Sequence, residues 1–213
     1  MKIRTFTKLT VISVLALSLL GAAQPSTLHA AEQLSFTDVK KGSWYEETVH
    51  WAISREMVKG YADGTFKPQQ TVSEAEFLAM LLRAFEPELA SSSPQSHWAN
   101  AYYARAEQLN YPLQGYEEAA SRNRPISREQ VAELITATEG VNFSGYHAIH
   151  YVLAFGLAQG KEPGVTSVAS FDGSSALTRA EALQFIKNVS DYGIGGLLER
   201  PSEKDNPQDL PEL

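Results

Sequence analysis

The stretch GYADGTFKPQQTVSEAEF, residues 60–77, decides the fold. Asp63-Gly64 is a strong turn pair, and Ser73 stands three residues before Glu76 at the head of an apolar run. That spacing is a capping box. The serine hydroxyl accepts from the backbone N–H of the third helical residue, and the glutamate reaches back to the backbone N–H of the serine. Val72 before the cap and Phe77 after it can staple the entry. The stretch therefore predicts a loop that feeds a capped helix. The same device stands at Ile126, Ser127, Gln130 and Val131, and again at Leu177, Thr178, Glu181 and Ala182. One capping box is common by chance, but three at near-equal spacing mark an internal repeat.

Each cap opens an apolar stripe at helical spacing: Phe77, Met80, Leu81 and Ala84, then Val131, Leu134 and Ile135, then Phe185, Ile186 and Val189. An earlier stripe precedes the first cap (Val49, Ala52, Ile53, Met57) and another the third (Ile149, Val152, Leu153), with Gly160 expected to close that helix. Trp44 precedes Ser73 by the same distance as Trp98 precedes Ser127. The unit is helix, glycine-containing loop, capped helix. No single helix pair can bury its own stripe, so three units must share one core. The predicted class is all-α.

FTDVKKGSWYEETVHWAISREMVKGYADGTFKPQQTVSEAEFLAMLLRAF resembles a complete S-layer homology repeat, through Phe36, Asp38, Trp44, Gly60-Tyr61, Asp63-Gly64-Thr65-Phe66 and the capped helix. HWANAYYARAEQLNYPLQGY with PISREQVAELI resembles a degenerate second copy, and AIHYVLAFGLAQG with SFDGSSALTRAEALQFI a third. The resemblance implies repeats at 31–85, 96–140 and 143–190, arranged as a pseudo-threefold, three-pronged helical bundle. It further implies a non-catalytic module that binds a pyruvylated secondary cell-wall polysaccharide in the grooves between prongs of a Gram-positive-type envelope.

Ahead of the repeats, Lys2, Arg4 and Lys8 precede an apolar run from Val11 to Ala23, and a small residue, Ala30, follows. That is the layout of a secretory leader over 1–30, too short to span a bilayer. Its removal would deepen the net charge of −7 by three. The acidic balance excludes nucleic acid and anionic membrane as natural partners. The chain has no cysteine, so the fold must rest on packing. Residues 199–213, rich in acids and proline, are expected to form a disordered tail.

Candidate site residues gather at the loops and helix starts. Gly60, Tyr61, Asp63 and Gly64 have a folding reading, with Gly60 closing the first helix in the left-handed conformation. They also have a ligand reading, in which open backbone N–H groups and a tyrosine face meet a sugar. The first helical residues after the caps are Glu74, Arg128 and Arg179. A cation there opposes the helix dipole. The two arginines are therefore expected either to share the site with an external anion or to pair with a neighbouring acid such as Glu129 or Glu181. In the first case their loss should leave stability nearly unchanged. In the resembled family this arginine reaches the ligand, so Glu74 breaks the pattern. Trp44 and Trp98 suit sugar stacking and core packing equally, and Asp38 is a sugar-hydroxyl acceptor by resemblance alone. His147 and His150 are spaced to share a metal, but they lack an HExxH context. No nucleophile elbow or phosphate loop is present, so neither catalysis nor a cofactor is predicted. A second reading is a surface scaffold whose helices bind protein.

Overall fold

Val72, Ile126 and Leu177, the apolar residues ahead of the three caps, do more than staple their own helices. The Val72 N–H donates to the Leu177 carbonyl, the Leu177 N–H to Ile126, and the Ile126 N–H to Val72, each at 3.0 Å. Three helix entries thus close a hydrogen-bonded ring. Isolated bridges pair Thr71 with Thr178, Ser73 with Pro125 and Ser127 with Ala176 around it. Buried extended backbone must find partners, and here three short segments supply them to one another.

This computed structural model describes residues 36–89 and 97–213, all within one unit spanning Leu34–Leu213. The predicted leader lies outside the described residues, as do residues 90–96. Helices dominate: α1 (Glu46–Ser54), α2 (Glu74–Phe85), α3 (Asn100–Gln108), α4 (Arg128–Thr138), α5 (Tyr146–Ala154), α6 (Val168–Phe171) and α7 (Arg179–Tyr192). Among the described residues the extended structure is confined to the isolated bridges. No described helix is long and apolar enough to cross a membrane.

The capping boxes form at Ser73, Ser127 and Thr178 as the sequence predicts, with both reciprocal hydrogen bonds present in each. Replacing Ser127 or Thr178 by alanine should each lower the unfolding free energy by about 1 kcal/mol, read as a shift in the denaturant midpoint. The stripes meet in a single core that includes Val49, Ala52, Phe77, Leu81, Val131, Ile135, Val152 and Ile186. In it α1 packs on α7, α2 on α3 and α7, and α4 on α5.

Three expectations change. First, Gly60 does not close α1, nor Gly160 α5. The helices stop at Ser54 and Ala154, and the left-handed residues are Glu56 (φ 56°) and Gly156 (φ 69°), with Asn110 (φ 56°) after α3. Gly60 is glycine for a different reason: a Cβ there would collide with the Phe36 ring, and at Gly160 with Ser170. Second, the glycine-containing loop of the third unit, between Gly160 and the cap at Thr178, contains α6 with its own capping box at Ser167 and Ser170.

Third, residues 199–213 are not a free tail. They lie against the end of α3 and the α4–α5 connection. The Arg200 N–H donates to Leu109 O at 2.9 Å, and Asn142 donates from Nδ2 to Pro201 O at 2.9 Å and from its N–H to Asp205 at 2.6 Å. Composition registers the segment's charge and prolines. It does not register the backbone partners that Asn110 and Asn142 offer.

Candidate functional site

The first residue of each capped helix points back past the ring into the loop of a different helix pair. Arg128, only 3% exposed, donates from Nε to Phe171 O (2.7 Å), from Nη2 to Gln159 O (2.9 Å) and from Nη1 to Glu181 (3.0 Å). Its guanidinium lies over the Phe171 and Phe185 rings. Burial pulls its pKa down, and the charges of Glu181 and Asp172 oppose that pull. Arg179, 8% exposed, donates from Nε to Phe66 O (3.1 Å) and from Nη2 to Lys59 O (3.3 Å), over the Phe66 and Tyr61 rings.

Glu74 sits in the corresponding place with inverted polarity. It is 3% exposed and accepts from the Tyr103 hydroxyl (2.6 Å) and from the backbone N–H groups of Gln114 (2.9 Å) and Gly115 (2.8 Å). Two junctions hold loop carbonyls with a cation, and one holds loop N–H groups with an anion. The expectation that removing either arginine leaves stability unchanged is therefore corrected. Dipole reasoning treats the position as exposed, whereas each guanidinium here is buried and bonded to carbonyls that would otherwise be unsatisfied. Of the two acids named as pairing partners, Glu181 does pair with Arg128, at 3.0 Å, from another helix start.

Burial and the hydrogen bond to Glu74 hold the Tyr103 phenol well above its ordinary pKa, and burial does the same for Tyr111. Both stay protonated in the fold at a pH, about 10, where the unfolded chain ionises them. Above that pH the unfolded state binds fewer protons, so stability falls as pH rises. In an alkaline titration these two phenols should ionise only together with the loss of helical circular dichroism.

The loops held by the arginines border two grooves of matching composition. The first, about 460 Å³, runs between Trp44, the loop at Gln159–Lys161 and the α7 residues Gln184 and Asn188, with Arg128 at its inner wall. The second, about 120 Å³, runs between Trp98, Val58-Lys59 and the α2 residues Glu76 and Arg83, with Arg179 in the equivalent place. In each, the tryptophan comes from one helix pair, the loop and capped helix from a second and the arginine from a third. Trp44 is 58% and Trp98 40% exposed, so neither is a core residue. Trp98 rests edge-on against Tyr102, and Trp44 against Tyr45.

Gly60, Tyr61 and Gly64 line a separate cavity of about 570 Å³ with Phe36, Ile53 and Lys59. Lys67 Nζ lies 3.9 Å above the Tyr61 ring. Asp38 uses both carboxylate oxygens on loop N–H groups, those of Phe66 and Lys67 at 2.8 Å. Asp63 accepts from the Thr65 hydroxyl (2.6 Å) and N–H (3.0 Å), which lowers its pKa, and Gly64 takes φ +77° at the turn. The two aspartates thus shape the loop. The structure brings Trp44 together with Arg128 and Trp98 with Arg179, but it places Asp38, Asp63 and Gly64 in neither groove. Sequence reading overlooked Lys59, Arg83, Lys161, Gln184 and Asn188. Glu181, Gln184 and Asn188 are spaced to share one polar face of a helix, and that polar face was the available signal.

His150 approaches the Pro211 carbonyl through Nε2 at 2.7 Å. Among the described residues no three His, Cys, Asp or Glu side chains are grouped to hold a metal.

One domain match and several relatives are found among known proteins. Residues 35–78 match the S-layer homology domain. The chain is 38% identical over 78 residues to the middle cell wall protein of Brevibacillus brevis, covering 36% of this chain and 7% of that protein. It is 30% identical over 105 residues to endo-1,4-beta-xylanase A of Thermoanaerobacterium saccharolyticum, covering 47% and 9%. To the cellulosome-anchoring protein of Acetivibrio thermocellus it is 25% identical over 134 residues, covering 58% and 30%. The chain thus spans less than a tenth of the length of the first two relatives. The matched region holds Trp44, the loop from Gly60 to Phe66 and the first capping box: residues 35–78 carry one S-layer homology domain.

Proposed function

We propose that the chain is a non-catalytic anchoring module that binds an anionic, pyruvylated cell-wall polysaccharide in the two tryptophan-flanked grooves. On this reading the three helix pairs are three S-layer homology repeats around a pseudo-threefold axis, exported by the leader at 1–30. The S-layer homology match and the wall-protein relative support a place at the cell surface. Relatives named for a wall protein, a xylanase and an anchoring protein align with the chain over 7%, 9% and 30% of their own lengths, as expected of a module separate from any catalytic domain.

One observation carries the reading. Although the chain has a net charge of −7, Lys59, Arg83 and Arg179 converge on the Trp98 groove, and Lys161 and Arg128 on the Trp44 groove. A flat aromatic face beside cations suits a sugar ring that bears a carboxylate. Arg128 and Arg179 act mainly by fixing the loops and lending charge from the inner wall. Direct contact falls to the tryptophans and the exposed lysines.

Sedimentation of the protein with purified wall sacculi, before and after chemical removal of the secondary polysaccharide, tests this reading. Binding to intact but not stripped walls is expected. Equal binding to both would favour a protein-binding scaffold instead, a reading supported by the exposed Tyr146, Phe155 and Tyr192.

A further inference from the structure

The junction between the α3–α4 pair and α5 departs from the two grooves. Trp44 and Trp98 stand two residues ahead of α1 and α3, but Ser144 holds that place ahead of α5. Glu133 occupies on α4 the position that Gln184, which lines the first groove, occupies on α7, and Glu74 replaces the arginine. The junction is acidic and lacks a stacking platform.

The C-terminal segment lies across it through contacts that read both backbone and side chain. Arg200 donates its N–H to Leu109 O (2.9 Å), and its carbonyl accepts from Asn110 Nδ2 (2.9 Å). Its Nε donates to Asn110 O at 2.6 Å, and its guanidinium also reaches Asn142 Oδ1 at 3.5 Å. The Leu198 N–H donates to Thr138 O (3.0 Å), and its carbonyl accepts from the Tyr111 hydroxyl (3.1 Å). The Leu198 side chain fills the space beside Gly140, where a Cβ would stand 2.8 Å from it. Asn142 takes the carbonyls of Pro201 and Ser202.

An extended peptide held by alternating backbone bonds, with one leucine and one arginine seated, is a recognition mode in its own right. The Arg200 guanidinium is held by Asn110 and Asn142, within the field of Glu133. We infer that this third junction is a peptide-binding groove selective for an arginine-bearing extended segment, and that residues 197–211 occupy it in cis. The groove is thereby withdrawn from glycan binding. The inference stands on these contacts alone and does not need the other grooves to bind sugar.

Two measurements on the full chain test it. Hydrogen exchange should show the Leu198, Arg200 and Asp205 amides protected in the parent. In Arg200→Ala their protection should fall at least tenfold, while the ring amides of Val72, Ile126 and Leu177 keep theirs. A fluorescent peptide with the sequence of residues 196–213 should then bind the Arg200→Ala chain at least tenfold more tightly than the parent, whose own segment competes. The same peptide carrying Arg200→Ala should bind at least tenfold more weakly. If Arg200→Ala fails to fold, Asn110→Gly, which keeps the left-handed backbone and removes the carboxamide, replaces it as the host. Unprotected 198–205 amides in the parent, retained protection in the variant, absence of peptide binding, or equal binding of both peptides would each overturn the assignment.

Discussion

Arg128→Ala is expected to lower the unfolding free energy by about 3–5 kcal/mol, the range for breaking a buried charge pair from one side. The loss has three sources. Glu181 loses its cationic partner, the Phe171 and Gln159 carbonyls lose their donors, and the faces of Phe171 and Phe185 lose the stacked guanidinium. Arg128→Lys should recover only part of the loss, because one ammonium cannot reproduce the planar fork that serves three acceptors. Chemical denaturation monitored by circular dichroism measures both variants. A loss below about 1 kcal/mol for the alanine variant would be the size of a single hydrogen bond, and would mean that the burial at this helix start has been misjudged.

Glu74→Arg should be more damaging still, leaving little folded protein at room temperature. The obvious repair, restoring an arginine to match Arg128 and Arg179, fails on polarity. The loop that Glu74 meets presents N–H donors from Gln114 and Gly115 and the Tyr103 hydroxyl, not carbonyls. Arg122 already lies 4.1 Å from the Tyr103 ring centre, so a second guanidinium would meet a like charge. Each orphaned buried donor costs roughly 1–3 kcal/mol, and two, the Tyr103 hydroxyl and the Gly115 N–H, are orphaned together. Glu74→Gln keeps one acceptor oxygen and should cost about 1–2 kcal/mol. Thermal melts of the two variants side by side check the ordering. Comparable stability of Glu74→Arg and the parent would show that this junction tolerates either polarity.

The capped helices were legible because caps and stripes are local: Ser73, Glu76 and Phe77 speak within one turn. The ring joining Val72, Ile126 and Leu177 was not, because nothing in an apolar residue before a cap announces a backbone partner a hundred residues away. The burial of Arg128, Arg179 and Glu74 was hidden for the same reason. Their positions were read correctly, but the dipole argument assumed solvent around them, and the surroundings come from another helix pair. Two helix ends were misplaced because the left-handed residue after the first helix is Glu56 rather than a glycine, and after the fifth it is Gly156, an earlier glycine than the one expected. Trp44 and Trp98 could not be assigned to core or surface by periodicity, since each stands ahead of its helix rather than on its stripe.

We propose that the two tryptophan-flanked grooves hold the wall glycan. This is tested most directly by the binding isotherm of the Trp44→Ala/Trp98→Ala double variant on purified sacculi, with a thermal melt of the same sample. Trp44 is 58% and Trp98 40% exposed and both stand outside the core, so stability should change by about 1 kcal/mol or less. Losing an aromatic platform beside cations at each groove should cost about 1–3 kcal/mol per site. Wall binding should weaken at least tenfold while the chain stays folded. Parent-like binding by the folded double variant would contradict it.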